Sequence, residues 1–119
     1  MAVGLGRAVP SVLVVEDDAT VRRFLAENLI ADRFAPMSAG SAEEALALLA
    51  GARPDAALID VGLPGMSGLD LIGAIRDGRP DAAWDSGLPI LLLSGEASPH
   101  AAVRGIERGA DDYVANPSF

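Results

Sequence analysis

The sequence contains no lysine and no cysteine, so it offers neither the amine chemistry of lysine nor the thiol chemistry of cysteine. All nine basic residues are arginines, which excludes both a P-loop lysine and a lysine that forms a Schiff base. The absence of cysteine excludes disulfides and thiolate metal ligands, and it is typical of proteins in a reducing cytoplasm. The first ten residues are too short and too weakly apolar for a signal peptide or a membrane span. We therefore expect a cytoplasmic protein without membrane contacts.

Basic charge is also scarce. The sequence has 17 acidic residues against nine basic ones, and its net charge is -8 at pH 7. Because proteins bind nucleic acid phosphates through clustered Lys and Arg, this balance argues against direct nucleic acid binding by this segment. Half of the 119 residues are hydrophobic, which is enough for one folded core. We expect an N-terminal tail over residues 1–10 and a single domain over residues 11–119.

Short apolar runs alternate with helical patterns along the chain. Five runs predict strands, and they lie at residues 11–15, 34–39, 56–59, 88–93 and 113–115. Four helices are expected between them, with N-caps at Asp18, Ser41, Ser67 and Ser98. Pro36 cannot donate a ladder hydrogen bond, so the second strand is predicted to lie at a sheet edge. The alternation predicts an α/β fold with a parallel sheet.

The apolar residues of each helix are spaced so that one face is predicted to pack on the sheet. In the first helix this face comprises Val21, Phe24, Leu25 and Leu29. In the fourth helix it comprises Ala102, Val103 and Ile106. Trp84 lies in a long polar connection before the fourth strand, and we expect it to anchor this loop onto the domain.

Polar side chains follow the predicted strands at their carboxyl ends. They are Glu16 and Asp17 after the first strand, Asp60 after the third, Ser94 after the fourth and Asn116 after the fifth. The carboxyl ends of parallel strands meet at one edge, where open α/β sheets bind ligands, so these side chains should converge. Each residue taken alone also suits an ordinary strand end.

The three carboxylates at this edge need a partner. Like charges repel unless one group is protonated or a cation joins them, and Mg²⁺ prefers carboxylate and carbonyl oxygens. The segment after Asp60 is rich in glycine, and Gly62 can offer its carbonyl to a metal without a side chain in the way. The sequence therefore favours a magnesium site formed by these acids.

Four motifs in order resemble those of bacterial response-regulator receiver domains. They are VLVVEDD at residues 12–18, D-x-x-L-P-x-x-S-G from Asp60 to Gly68, P-I-L-L-L-S-G ending at Gly95, and G-A-D-D-Y ending at Tyr113. The resemblance covers nearly the whole chain. It implies a doubly wound, flavodoxin-like sheet of five parallel strands in the order 2-1-3-4-5.

The resemblance also implies a role for each acid at the sheet edge. Asp60 resembles the phosphoryl acceptor, which takes the group from a phosphohistidine to form an aspartyl phosphate. Glu16 and Asp17 resemble the acid pair that holds Mg²⁺, Asp17 directly and Glu16 through water. Asp60 and the carbonyl of Gly62 would complete the metal site. Such a domain is a signalling switch that assists its own phosphorylation, and it is not a turnover enzyme.

The remaining implied roles concern the switch and its partners. Ser94 resembles the hydroxyl residue that bonds the phosphoryl group, and Tyr113 resembles the aromatic whose rotamer reports the change. The fourth helix and fifth strand would be the element that switches. The implied partners are a sensor histidine kinase or a phosphotransfer protein, a second copy in a homodimer, and an output domain beyond residue 119.

The sequence departs from the family pattern in two places. Receivers usually carry a lysine before the proline that follows strand five, and this chain has Asn116-Pro117, a pair that resemblance suggests is cis. A neutral amide donates a bond about half as strong as a charged donor does. The family's fifth helix should follow Pro117, so we expect it to be missing from this chain. Either the chain is a fragment of a longer regulator, which we favour, or one face of the fifth strand is an exposed apolar patch that binds a partner.

Two other functions remain as alternatives. The missing lysine favours a degenerate receiver that acts as an interaction module without phosphorylation. A Mg²⁺-dependent phosphohydrolase with Asp60 as nucleophile is disfavoured, because its common form has a second acid two residues later, where this chain has Gly62.

Overall fold

The computed structural model describes residues 9–94 and 99–115 of the 119. These residues form five strands, which are β1 (Ser11–Val15), β2 (Ala35–Ala39), β3 (Ala56–Asp60), β4 (Ile90–Ser94) and β5 (Asp112–Ala115). They also form four helices, which are α1 (Ala19–Ala31), α2 (Ala42–Leu49), α3 (Gly68–Asp77) and α4 (Pro99–Arg108). All strand pairs are parallel, and the order β2-β1-β3-β4-β5 confirms the predicted topology.

Strand β1 lies between β2 and β3 and is covered on both faces, since Leu13 and Val15 belong to one apolar cluster and Val14 to another. In β1, Leu13, Val14 and Val15 are fully buried, and their register partners in β3 begin with Ala57 opposite Leu13. The edge position predicted from Pro36 is confirmed, since β2 pairs only with β1 among the described strands.

Side-chain caps start three of the helices, as the sequence predicts. Asp18 accepts from the backbone N–H groups of Thr20 and Val21, Ser41 accepts from that of Glu44, and Ser67 accepts from that of Asp70. Each cap satisfies a donor that has no partner within its helix. The expected cap Ser98 lies outside the described residues.

The predicted inward face of α4 is wrong at two positions. Val103 is 56% exposed and Ile106 is 44% exposed, whereas Ala102 is buried. The reason is Gly105, since a methyl group added there would overlap Cδ2 of Leu92 in β4. The helix approaches the sheet through these small residues, so the larger side chains lie on its outer side.

The predicted inward face of α1 is wrong at one position. Phe24 is 50% exposed, whereas its neighbour Leu25 is buried against Val14 and Leu93. Val21, Leu25 and Leu29 form a stripe along about two turns of α1 that packs with Val14 and Leu93, and Phe24 lies at the side of that stripe.

Two side chains fasten the loops at the amino ends of β4 and β5. The Nε1 of Trp84 donates to the carbonyl of Ile75 at 3.0 Å, and the ring is buried, so the predicted anchoring of this loop is confirmed. Arg76 donates to the carbonyls of Ser86, Leu88 and Gly109 and pairs with Asp111. In the part of the chain that the structure describes, no helix has the length and apolarity needed to cross a bilayer.

Candidate functional site

The carboxyl end of β1 presents two acids in succession. Glu16 follows the buried Val15, and its backbone N–H donates to the carbonyl of Ala39 at 3.1 Å. This bond extends the pairing of β1 with β2 by one residue, and it holds Glu16 at the sheet, where the residue is only 5% exposed. Asp17 is the next residue and is exposed.

Asp60 is the last residue of β3, beside β1 in the sheet, and it is half-buried. One carboxylate oxygen from each of Glu16, Asp17 and Asp60 lies within 4.8 Å of the other two. The structure therefore brings together the three acids that the sequence places at the strand ends. We call these three residues the acid cluster.

Hydrogen bonds compensate the acid cluster only in part. The backbone N–H of Asp18 donates to Oε2 of Glu16 at 3.1 Å, and that of Gly62 donates to Oδ1 of Asp60 at 3.2 Å. Burial raises the pKa of Glu16 to about 7, and the charge of Asp60 adds to the effect. Burial also raises the pKa of Asp60, against the opposing effect of the Gly62 bond. Negative charge is therefore in excess at this edge of the sheet.

A cation is the ligand that this arrangement suits. Three carboxylates whose oxygens lie within 4.8 Å of one another offer only hard oxygen donors. Mg²⁺ binds such donors and favours their charged forms, which would offset the cost of burying Glu16 and Asp60. The residues present therefore fit a magnesium ion.

The loop after Asp60 packs tightly against it. A methyl group added at Gly68 would overlap the carbonyl oxygen of Asp60, and the N–H of Gly68 donates to the carbonyl of Val61 at 3.3 Å. Gly65 has a φ of 71°, which favours glycine. The glycines thus allow α3 to begin directly beside the backbone of Asp60.

The other predicted site residues are distributed along β4 and β5. Ser94 ends β4 and is buried, and its register partner in β5 is Ala115. Tyr113 is 44% exposed and borders an open cavity of about 320 Å³, together with Ala102, Val103, Ile106 and Glu107 of α4. Asn116 and its peptide bond to Pro117 lie outside the described residues.

Sequence reasoning missed one residue that contacts the site. Arg22, in the first turns of α1, donates to the carbonyl of Glu16 at 2.8 Å and to that of Asp17 at 3.4 Å. A basic residue six positions after Glu16 was the available signal. Its meaning depends on the side chain turning back toward the start of α1, which spacing alone does not reveal.

The sequence model of the response regulator receiver domain matches residues 12–118. The chain belongs to this family. Among curated relatives, it is 37% identical over 106 residues to the DNA-binding response regulator MtrA of Mycobacterium tuberculosis, which covers 89% of this chain and 43% of that protein. It is 39% identical over 109 residues to the transcriptional regulatory protein AfsQ1 of Streptomyces coelicolor, with 92% and 45% covered. The chain thus spans less than half the length of these relatives.

Solved receiver structures have the same fold. The chemotaxis protein CheY4 of Vibrio cholerae superposes with a TM-score of 0.83 at 29% identity, covering 94% of this chain and 90% of that one. A response regulator from Burkholderia pseudomallei, with a phosphorylated aspartic acid, calcium ion and citrate, superposes with a TM-score of 0.79 at 34% identity. That match covers 92% of this receiver and 61% of the other chain.

Proposed function

We propose that this receiver accepts one phosphoryl group on Asp60 from the phosphohistidine of a sensor histidine kinase or a phosphotransfer protein. The observation that carries the proposal is the acid cluster, in which Asp60 lies at a strand end with two further acids beside it. The phosphorylated aspartic acid of the Burkholderia pseudomallei structure supports it by relationship.

In this proposal Asp60 is the nucleophile. A carboxylate oxygen of Asp60 forms a bond to phosphorus while the bond from phosphorus to the histidine nitrogen breaks, and the leaving imidazole takes up a proton. The transition state is loose, so alignment and charge neutralisation provide most of the acceleration. The bond from Gly62 N–H to Oδ1 and the packing of Gly68 on its backbone keep the Asp60 side chain oriented.

Glu16, Asp17, Asp60 and the carbonyl of Gly62 would hold Mg²⁺ at this site. When bound, the ion neutralises charge on the acids and on the incoming phosphoryl oxygens. Ser94, buried at the end of the strand beside Asp60, would donate its hydroxyl to the new phosphoryl group. Asn116 would donate an amide where receivers usually have a lysine.

The proposed output of phosphorylation is a change in the face formed by α4 and β5. Tyr113 is partly exposed there beside Val103 and Ile106, so a rotation of its ring would alter an apolar surface. That surface would bind a second copy or an output domain. The relative MtrA is a DNA-binding response regulator, and a DNA-binding segment beyond residue 119 would be such a domain. The net charge of -8 supports a receiver segment that does not itself bind DNA, and the absence of cysteine favours a cytoplasmic location.

Intact-mass measurement tests the proposal. The native chain is incubated with acetyl phosphate as a small phosphodonor, with and without Mg²⁺. We expect the mass of one added phosphoryl group only with Mg²⁺, no addition to Asp60→Asn, and full addition to the exposed control Asp81→Asn. Addition to Asp60→Asn at the native rate would contradict the assignment of Asp60.

The replacement of lysine by Asn116 favours a second candidate, a receiver that binds partners without being phosphorylated. A neutral donor loses ~1 to 2 kcal/mol relative to a charged one, which weakens coupling roughly five- to thirtyfold. Asn116→Lys distinguishes the two candidates. If it increases a phosphoryl adduct that the native chain already forms, the first candidate holds. If the native chain forms none and partner binding is indifferent to Asp60→Asn, the second holds.

A further inference from the structure

Arg22 is bound to the backbone of the segment that carries two members of the acid cluster. Its Nη1 donates to the carbonyl of Glu16 at 2.8 Å, and the longer contact to the carbonyl of Asp17 is 3.4 Å. The backbone N–H of Arg22 itself donates to the carbonyl of Asp18 at 2.8 Å. One residue of α1 thus contacts all three consecutive residues between β1 and the helix.

These contacts hold the backbone from which the side chains of Glu16 and Asp17 extend. A carbonyl held in one direction restricts the backbone dihedral angles beside its peptide, and these angles set where the neighbouring side chains leave the backbone. A charged donor at 2.8 Å makes one of the stronger hydrogen bonds in a protein. Without it, the peptides after Glu16 and Asp17 lose the donor that orients them.

The guanidinium of Arg22 also lies near Gly40, which follows β2. A methyl group added at Gly40 would lie 3.4 Å from Nη1 of Arg22 and 3.5 Å from Oε1 of Glu44. That Glu44 oxygen accepts from the backbone N–H of Gly40 at 2.7 Å. The guanidinium therefore lies near both the segment after β1 and the segment after β2.

We propose that Arg22 is a positioning residue for the divalent cation, because its guanidinium holds the backbone of Glu16 and Asp17 so that their carboxylates face Asp60. This inference rests on the proposed magnesium site. Replacement of residues that orient metal ligands typically weakens metal affinity by about 10- to 100-fold. Simple electrostatics gives the opposite sign, since removal of a positive charge near a cation site should tighten cation binding.

Calorimetric titration of Mg²⁺ into the 119-residue chain tests the inference without any phosphorylation. The variants are Arg22→Gln and Arg22→Lys, and the control is Arg23→Gln, which removes the same charge from the exposed neighbouring residue. We expect Arg22→Gln to bind Mg²⁺ at least about tenfold more weakly than the native chain. Arg22→Lys should fall between the two, and Arg23→Gln should stay within about twofold of native.

The outcomes separate the inference from the proposed function. If the native chain binds Mg²⁺ and Arg22→Gln binds it equally or more tightly, the positioning role is wrong while the metal site stands. If Arg22→Gln has a lower melting temperature without Mg²⁺ but native affinity, Arg22 is a structural residue only. If the native chain and Arg23→Gln bind no Mg²⁺, both proposals are wrong. Should Arg22→Gln not fold, Arg22→Lys decides, and native affinity in that variant would overturn the inference.

Discussion

The backbone of Gly68 lies so close to Asp60 that a methyl group at Gly68 would overlap the Asp60 carbonyl oxygen. This contact joins the first residue of α3 to the last residue of β3. It explains why the segment between them ends in glycine, since any other residue would push the helix away from the strand. The position of the Asp60 backbone depends on this contact.

Gly68→Ala should therefore destabilise the protein. We expect a loss of about 2–3 kcal/mol in the free energy of unfolding, because the overlap is with backbone atoms that cannot move aside. Urea denaturation followed by the fluorescence of Trp84, the only tryptophan, measures this loss. The control is Gly51→Ala, because nothing lies within 4 Å of a methyl group there. Equal stabilities for the two variants would contradict the contact.

Stability without Mg²⁺ should decrease as the pH rises from about 4.5 to about 7. Folding raises the pKa of Glu16 from 4.5 to about 7, so the folded state binds more protons than the unfolded state across this range. The contribution of Glu16 is thus fully present below the lower value and lost above the upper one. We expect Glu16→Gln to flatten this dependence by roughly 1–3 kcal/mol.

Urea denaturation at pH 5 and pH 7.5 in the presence of EDTA measures the dependence on Glu16. The matched control is Glu27→Gln, a substitution of the same kind at an exposed position of α1. It should retain the native pH dependence. If Glu16→Gln retains it as well, burial of Glu16 is not its cause.

Arg76→Ala should be among the more damaging substitutions of a charged residue. The guanidinium donates to two carbonyls at 2.7 Å and to a third at 2.9 Å, and it pairs with Asp111 at 3.2 Å. Its loss leaves several acceptors unpaired, so we expect about 2–4 kcal/mol of destabilisation. Thermal unfolding measures it, with the exposed Arg104→Ala as the control. Arg76→Lys should recover less than half of the stability that Arg76→Ala loses, since one ammonium group cannot reproduce the planar set of donors of a guanidinium.

A comparison of Ile106 in α4 with Ile72 in α3 tests which face of α4 packs on the sheet. Ile72 is fully buried in α3, and Ile106 is 44% exposed. We expect Ile72→Ala to cost about 2–5 kcal/mol, whereas Ile106→Ala should cost less than about 1 kcal/mol. Chemical denaturation of both variants measures the difference. If Ile106→Ala cost more than Ile72→Ala, the side chain of Ile106 would have to lie in the core.

The sequence predicts the sheet well because each strand is a short apolar run that ends at a polar residue. Strand Ser11–Val15 is predicted with its observed bounds, and Pro36 correctly indicates an edge. The carboxyl ends of parallel strands meet at one edge of the sheet. Because the three acids follow such strand ends, the sequence also predicts the acid cluster. These features depend on local composition and on rules that hold for all open α/β sheets.

Helix faces were harder to predict, because hydrophobic periodicity treats a large apolar residue as the contact. In α4 the contact is made by Ala102 and Gly105, and only the position of Leu92 across the interface explains why. Arg22 was missed for a similar reason, since its role depends on a side chain folding back along α1. In both cases the contact depends on the distance in space between two segments, and hydrophobic periodicity along one segment does not report this distance.

The network around Arg76 occupies the amino ends of β4 and β5, whereas the acid cluster occupies the carboxyl ends of β1 and β3. The length of a strand thus separates the hydrogen bonds of Arg76 from the acid cluster. Substitutions in the acid cluster can accordingly change the carboxylates at one end of the sheet while the Arg76 network at the other end keeps the domain folded.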